Sequence, residues 1–189
     1  MKTRKRHTTK NKTQKVFNEA DYESNNGMLT MVWGPSMWHF LHTISFNYPV
    51  QPTQQDKIHY RDFVLHLENV LPCKKCRSNL HKNLKKLPLK MEHLKTRATF
   101  SLYIYKLHEL VNKMLGKNSG ITYEMARERY EHFRARCTQP IDKTPEKKEN
   151  GCVEPLNGEK SKCLLHIVPV WKKCETFTVD KRCIKKRLT

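Results

Sequence analysis

From residue 29 to residue 137 apolar side chains recur every three or four positions, in runs bounded by proline, glycine or a capping residue. The first run is Met37, Leu41, Ile44 and Tyr48. It predicts a helix that begins at Gly34-Pro35, with Pro35 in a first-turn slot where its missing N–H costs nothing, and that ends at Pro49 and Pro52. Thr53 is placed to cap a second helix, with Asp56 in its first turn and Phe63, Leu67, Val70 and Leu71 as its apolar stripe. Pro72 stops it. A short third helix is expected from about Cys73 to Leu87, with Pro88 after it. The fourth run, Ile104, His108, Val111 and Leu115, ends at Gly116, where a C-terminal cap would sit. Thr122 then caps a fifth helix with Tyr123, Ala126, Tyr130 and Phe133 on its inner side. No sustained period-two alternation occurs before residue 163. The expectation is an all-α bundle of about five helices, a four-helix core plus one short helix.

Outside that stretch the composition changes. Residues 1–28 are Lys, Arg, Thr and Asn with few apolar residues, and read as a disordered basic arm. Residues 29–137 form the folded domain, and residues 138–189 a linker and cysteine-containing tail. In the tail, residues 163–179 hold Leu164, Leu165, Ile167, Val168, Val170, Trp171 and Phe177, enough for a short strand pair or a docking segment. Of 189 residues 37% are hydrophobic and 29% charged, a supply that suits a core of roughly 100 residues. The formal net charge is +19, but residues 1–17 contribute seven Lys/Arg and no acid, and residues 138–189 twelve against seven acids. The excess is partly a property of the ends. An acidic partner fits it, and for the arm non-specific electrostatic contact with nucleic acid is the expectation, since no aromatic residue interrupts it before Phe17. No run of eighteen apolar residues exists, and no apolar run follows the basic N-terminus. Neither a membrane span nor a secretory signal is expected, which points to a cytoplasmic location.

Seven cysteines cannot all pair within one chain. The informative pair is Leu71-Pro-Cys73-Lys-Lys-Cys76. Pro72 closes one helix and Cys73 opens the next, so both thiols lie by the N–H groups of a helix N-terminus, which favour a thiolate. Lys74, Lys75 and Arg77 act in the same direction. Two cysteines so spaced can close a disulfide and be reduced again. Structural zinc would need a second knuckle, and the remaining cysteines, at 137, 152, 163, 174 and 183, do not supply the spacing. No metal is expected. A thioredoxin fold would need strands around the motif.

Two polar-aromatic stripes accompany the pair. Trp38 and His42 share a face of the first helix; Tyr105, His108 and Asn112 share a face of the fourth. Buried His and Asn must find partners, and mutual hydrogen bonding is the plainest explanation. Beside a redox pair, the two stripes could instead line a slot for a flat heteroaromatic ring, with Lys113, Lys117, Arg127 and Arg129 placed to meet its phosphates.

Three segments carry a resemblance. Trp33-Gly-Pro-Ser-Met-Trp38-His-Phe-Leu-His42-Thr with Tyr48-Pro49, then Leu71-Pro-Cys73-Lys-Lys-Cys76, then Leu107-His108-Glu-Leu-Val111-Asn112-Lys-Met-Leu115-Gly116-Lys117, resemble in order and spacing the signatures of the Erv/ALR family of FAD-linked sulfhydryl oxidases. The likeness covers about residues 30–136 and is nearest to the forms encoded by large DNA viruses. It implies a helical bundle that cradles FAD, usually dimeric. It implies Cys76 against the flavin and Cys73 outermost, taking electrons from a protein thiol and passing them through Cys76 and FAD to O2 as H2O2. Gly34, Trp38, His42, Tyr105, His108, Val111, Asn112, Leu115, Lys117, Arg129 and Tyr130 are the FAD-binding positions expected on this basis. The chain departs from the family at Pro35, where cellular members often have Arg, and at Glu109, where they have Asn. A second disulfide of cellular members is missing, because residues 74–136 contain only Cys76. The tail cysteines Cys152, Cys163, Cys174 and Cys183 could relay electrons to Cys73 or staple a small extension. The alternative from another class is a basic nucleic-acid-binding or virion protein with a degenerate oxidase core. If the chain is viral, host cytoplasm or virion is the expected location.

Overall fold

The computed structural model describes residues 16–135 and, in the tail, residues 162–164, 166–168, 171–172 and 178–183. Six α-helices are present among them: α1 (Glu19–Tyr22), α2 (Thr30–Phe46), α3 (Gln54–Val70), α4 (Lys74–Lys86), α5 (Arg97–Met114) and α6 (Tyr123–Glu131). A 3-10 turn, Met91–Leu94, joins α4 to α5. No strand occurs among the described residues, so the all-α expectation holds. No described helix is long and apolar enough to cross a membrane.

The helix ends show how directly side chains set boundaries. Thr53 and Asp56 form a reciprocal capping box at α3, with Asp56 N–H on Thr53 Oγ1 at 3.1 Å and Thr53 N–H on Asp56 Oδ2 at 2.8 Å. Thr122 caps α6 by accepting from the Met125 N–H. Gly116 takes φ 67°, the left-handed conformation that closes α5. There the Gly116 N–H reaches the Lys113 carbonyl and the Lys117 N–H the Asn112 carbonyl, a Schellman closure.

The start of α2 differs from the sequence expectation. The helix begins at Thr30, and Pro35 lies inside it, with no N–H to offer the Met31 carbonyl. Contacts outside the helix hold this extra turn. The Trp33 indole Nε1 donates to the Met28 carbonyl at 3.1 Å, and the Met28 N–H donates to the Pro72 carbonyl at 3.2 Å. A second difference is α1, one capped helical turn inside the stretch expected to be an arm, with Asn18 and Asp21 exchanging hydrogen bonds. Residues 1–15 lie outside the described residues.

The core is formed where α5 packs on α2, on α4 and on the 3-10 turn, and α3, packed on α4 and on the same turn, closes it with Val64 and Leu67. Val64, Leu94, Phe100, Tyr103, Ile104 and Leu107 are buried, each large side chain contributing about 1.5–3 kcal/mol by leaving water. Two buried tyrosines satisfy their hydroxyls on backbone: Tyr48 donates to the Leu94 carbonyl and Tyr103 to the Leu87 carbonyl, both at 2.9 Å. Tyr48, Tyr60 and Phe100 pack edge to face or tilted, with centroids 4.7–5.6 Å apart.

The apolar stripe expected on α3 is corrected. Val64 and Leu67 enter the core, whereas Phe63 and Val70 are exposed. Val70 joins Trp33, Met37, Phe40, Leu67, Leu71 and Pro72 around an open apolar groove of about 450 Å³ between α2 and α3. In the tail, Leu164, Ile167 and Trp171 are exposed, and most of the expected strand pair lies outside the described residues.

Candidate functional site

Cys73 is the N-cap of α4, in extended backbone conformation, and its sulfur accepts from the Cys76 N–H at 3.3 Å. A sulfur thus occupies the place where helices usually put a serine, threonine or aspartate oxygen. Both are free thiols in this structure and partly exposed. Their environments push them apart. Cys73 is held below the ordinary thiol value, chiefly by its hydrogen bonds with the Cys76 thiol and the Cys76 N–H, with Thr30 adding to the effect. Cys76 is raised, first by burial and then by its hydrogen bond with Cys73. Of the two, the outer sulfur takes negative charge more readily and the inner one holds its proton more tightly.

Two residues at this site gave no signal in the sequence. Thr30, in the first turn of α2, places Oγ1 3.4 Å from Cys76 Sγ. Gly27 lies flat on the motif: a Cβ there would sit 2.9 Å from the Pro72 carbonyl oxygen and 3.3 Å from Cys73 Cα. The chain before α2 therefore packs against the redox pair. No pattern of polarity could have revealed a contact between positions 46 apart.

The second half of the site lies farther along α2. At 1.5 Å per residue, Trp38 and His42 stand about 12 and 18 Å along the axis from Thr30. The Trp38 indole stacks on the His108 imidazole with centroids 4.1 Å apart and 5° between planes. His42 Nε2 and His108 Nδ1 share a hydrogen bond of 2.9 Å. His42 also stacks on Tyr130 at 5.3 Å, and Tyr130 on Phe46 at 5.2 Å. His39 joins from the next position round the helix, its Nδ1 3.2 Å from the Tyr130 hydroxyl. The stripes expected on α2 and α5 are thus brought together by α2 packing on α5, with α6 supplying Tyr130. His39 and Phe46 were not foreseen, although both lie within a helical turn of His42.

Burial keeps the imidazoles neutral. His42 is lowered to about 3, by desolvation first and then by His108 and His39. His108 is lowered to about 4 by desolvation and by the charge of Lys117, partly offset by Glu109. Tyr130 is raised by burial. The result is a slab of neutral flat rings, with Lys117 near enough to act on His108 and Arg129 on Tyr130. Lys113, Lys117 and Arg127 are exposed and Arg129 is half-buried.

The other expected residues lie on α2 and α5, or at the end of α5, outside the stack. Gly34 is buried in α2, and Val111 and Asn112 are half-buried on α5. Leu115 is exposed at the end of α5. Tyr105 does not enter the stack: its hydroxyl donates to the Ile121 carbonyl at 2.7 Å, and its ring meets Tyr123 edge-on. Glu109 accepts from Asn112 Nδ2 at 2.9 Å and from Ser119 Oγ at 2.8 Å, fixing the Asn112 amide and tying the α5 C-terminus to the following turn.

One atom in the slab has unmet bonding capacity. His42 Nδ1 is buried and has no hydrogen-bond partner. An orphaned polar atom beside stacked rings fits a heteroaromatic cofactor with polar edges. No cluster of His, Cys, Asp or Glu able to hold a metal occurs among the described residues. Of the tail cysteines, Cys163 is exposed, while Cys152 and Cys174 lie outside the described residues.

A helical bundle with a polarised CxxC at one helix N-terminus and a histidine-aromatic slab on the neighbouring helix defines a thiol-redox protein with a planar cofactor. The Erv1/Alr family model matches residues 35–131, and the chain belongs to that family. It is 38% identical over 99 residues to the probable FAD-linked sulfhydryl oxidase R368 of Acanthamoeba polyphaga mimivirus, spanning 52% of this chain and 68% of that protein. It is 32% identical over 84 residues to the FAD-linked sulfhydryl oxidase ERV1 of Oryza sativa subsp. japonica, spanning 44% of this chain but only 42% of the plant protein. The crystal structure of the yeast Erv1 core superposes with a TM-score of 0.50 over 66% of this chain and 95% of that one, at 22% identity, and shows the same fold. The chain is accordingly an enzyme of the FAD-linked sulfhydryl oxidase type, and its cofactor is FAD.

Proposed function

We propose that this enzyme forms disulfides in protein substrates, with Cys73 and Cys76 as its redox pair. A substrate thiolate attacks Cys73 of the oxidised pair, giving a mixed disulfide and releasing Cys76. A second substrate thiol displaces Cys73, so the substrate leaves as a disulfide and the pair is left as a dithiol. The lowered Cys73 thiol suits it to leave at this step. It is also the base nearest Cys76, positioned to accept that thiol's proton when the pair closes again. When bound, FAD would supply the two-electron chemistry, accepting the electrons released as Cys73 and Cys76 close to a disulfide and delivering them to O2 as H2O2.

Trp38, His42, His108 and Tyr130 would hold the cofactor's flat surfaces, Asn112 its polar edge, and Lys117 and Arg129 its phosphates. Gly34, Val111 and Leu115 would line the same cleft; Tyr105 would support it from behind through Ile121. Residues 29–137 are the oxidase domain in this reading, residues 1–28 an arm and 138–189 a tail. A homodimer is the expected assembly, and the exposed groove between α2 and α3 is a face it could use.

The observation that carries the reading is the opposed environment of the two thiols, with Thr30 on the inner one. The test is a visible spectrum and dithiothreitol-driven O2 consumption, wild type beside Cys76→Ser. A flavin spectrum in both proteins with turnover lost in the variant is expected. Undiminished turnover in the variant would remove Cys76 from the pathway.

A further inference from the structure

Helix α4, which presents Cys73, has two unlike faces. Leu80, Asn83 and Leu84 are buried, and Cys76 and Arg77 lie on the same inner side. Lys74, Lys75, Lys82, Lys85 and Lys86 are all exposed. At 100° per residue these five fall within an arc of about 120°. Between residues 69 and 108 there are ten Lys/Arg and a single acid, Glu92. None of the ion pairs among the described residues involves the five lysines. Glu68 of α3 reaches α4 at His81, 2.8 Å away and at the edge of the arc, and the lysine row itself begins at the residue after Cys73.

A lysine row on a short helix is usually a solvated surface. Here its position matters. Disulfide exchange brings a substrate sulfur to bonding distance of Cys73, and a peptide that runs on along α4 spans the ~13–20 Å to Lys82, Lys85 and Lys86 in about four to six extended residues. Lysines there raise the local concentration of anionic segments and repel cationic ones. They also act on the chemistry: acidic neighbours disfavour a substrate's thiolate, and cations facing them restore it.

Resting on the oxidase reading above, we propose that the preferred substrates are protein dithiols flanked by Asp and Glu, received on the lysine face of α4. The face suits an acidic peptide better than nucleic acid. α4 carries no Phe, Tyr or Trp on which a base could stack, and the charge converges on a thiol that has no role toward a phosphate.

The experiment uses the full FAD-loaded protein and three synthetic peptides with the same Cys-x-x-Cys, flanked by Glu, by Gln or by Lys. Dithiothreitol is the uncharged control, and O2 consumption the readout. At about 20 mM salt, kcat/KM for the Glu peptide should exceed that for the Gln peptide roughly tenfold, with the Lys peptide lowest, and the spread should collapse at about 200 mM. The triple variant Lys82→Gln, Lys85→Gln, Lys86→Gln should remove most of the Glu peptide's advantage and leave dithiothreitol turnover unchanged. Equal rates for the three peptides, with dithiothreitol oxidised normally, would overturn this proposal and spare the oxidase reading. Failure to oxidise dithiothreitol would sink both. A short DNA duplex that binds through the same three lysines, while the peptides are used equally, would assign the face to nucleic acid and overturn it as well.

Discussion

The buried His42–His108 pair makes stability fall with acid in a way that can be worked out from its surroundings. Both imidazoles are neutral in the fold, at about 3 and about 4, and both would titrate near 6.5 in the unfolded chain. Their contribution is therefore fully present above the unfolded value. It is lost as pH falls from 6.5, because the unfolded chain binds protons the folded one refuses, and the loss levels off near the folded values. At pH 5 each residue contributes about 2 kcal/mol of destabilisation relative to pH 7.5, and the pair about 4 kcal/mol, at 1.36 kcal/mol per unit. Against a domain stability of about 5–15 kcal/mol this is a large share. The assay is urea unfolding by far-UV circular dichroism at pH 7.5, 6 and 5, with FAD in the same excess throughout, for wild type and His108→Asn. The variant loses stability at every pH, but its difference between pH 7.5 and pH 5 should be smaller by about 2 kcal/mol. An identical difference in the two proteins would refute the claim that the pair is held neutral.

Three further outcomes follow from single contacts. Thr30→Val removes the hydrogen bond to Cys76 Sγ that lowers both thiols, so the pH profile of iodoacetamide labelling at Cys73 and Cys76 should move upward; Thr30→Ser should restore it, and an unmoved profile would deny Thr30 a positioning role. Gly27→Ala drives a Cβ against the Pro72 carbonyl, so the segment before α2 should lift and limited proteolysis ahead of Thr30 should quicken severalfold; unchanged cleavage would mean the segment does not rest on the motif in solution. Tyr48→Phe leaves the Leu94 carbonyl without its donor in a fully buried place, at a cost of about 1–2 kcal/mol in chemical denaturation, and a loss near zero would mean water reaches that carbonyl.

Much of the fold could be read from local chemistry, because caps are local. Thr53 with Asp56, Thr122 and Gly116 each act within a few residues, and each marks the end of its helix as expected. The start of α2 could not be read in this way. Leu29 has no capping side chain, and the turn before Pro35 is held by Trp33 on Met28 and by Met28 on Pro72, which only the fold brings near. The error on α3 has another cause. Both sides of that helix carry apolar residues, and periodicity cannot say whether Val64 or Phe63 faces the core. In the candidate site, Trp38, His42 and His108 stood out as polar aromatics beside core positions. His39, Phe46 and Thr30 did not, because their meaning depends on α6 and on the α3–α4 corner.

The cysteine that caps α4 links two equilibria that are usually discussed apart. A thiol or thiolate at the cap accepts the Cys76 N–H better than a sulfur already bound in a disulfide. Whatever the cap contributes to the helix therefore belongs mainly to the dithiol. With the two-electron relation, about 1 kcal/mol of such preference raises the pair's reduction potential by ~20 mV. The pair becomes a stronger oxidant of incoming thiols and a slightly poorer donor to the flavin. A neighbour that strengthens or weakens the first turn of α4 would thus act as a potentiometric control, without touching either sulfur.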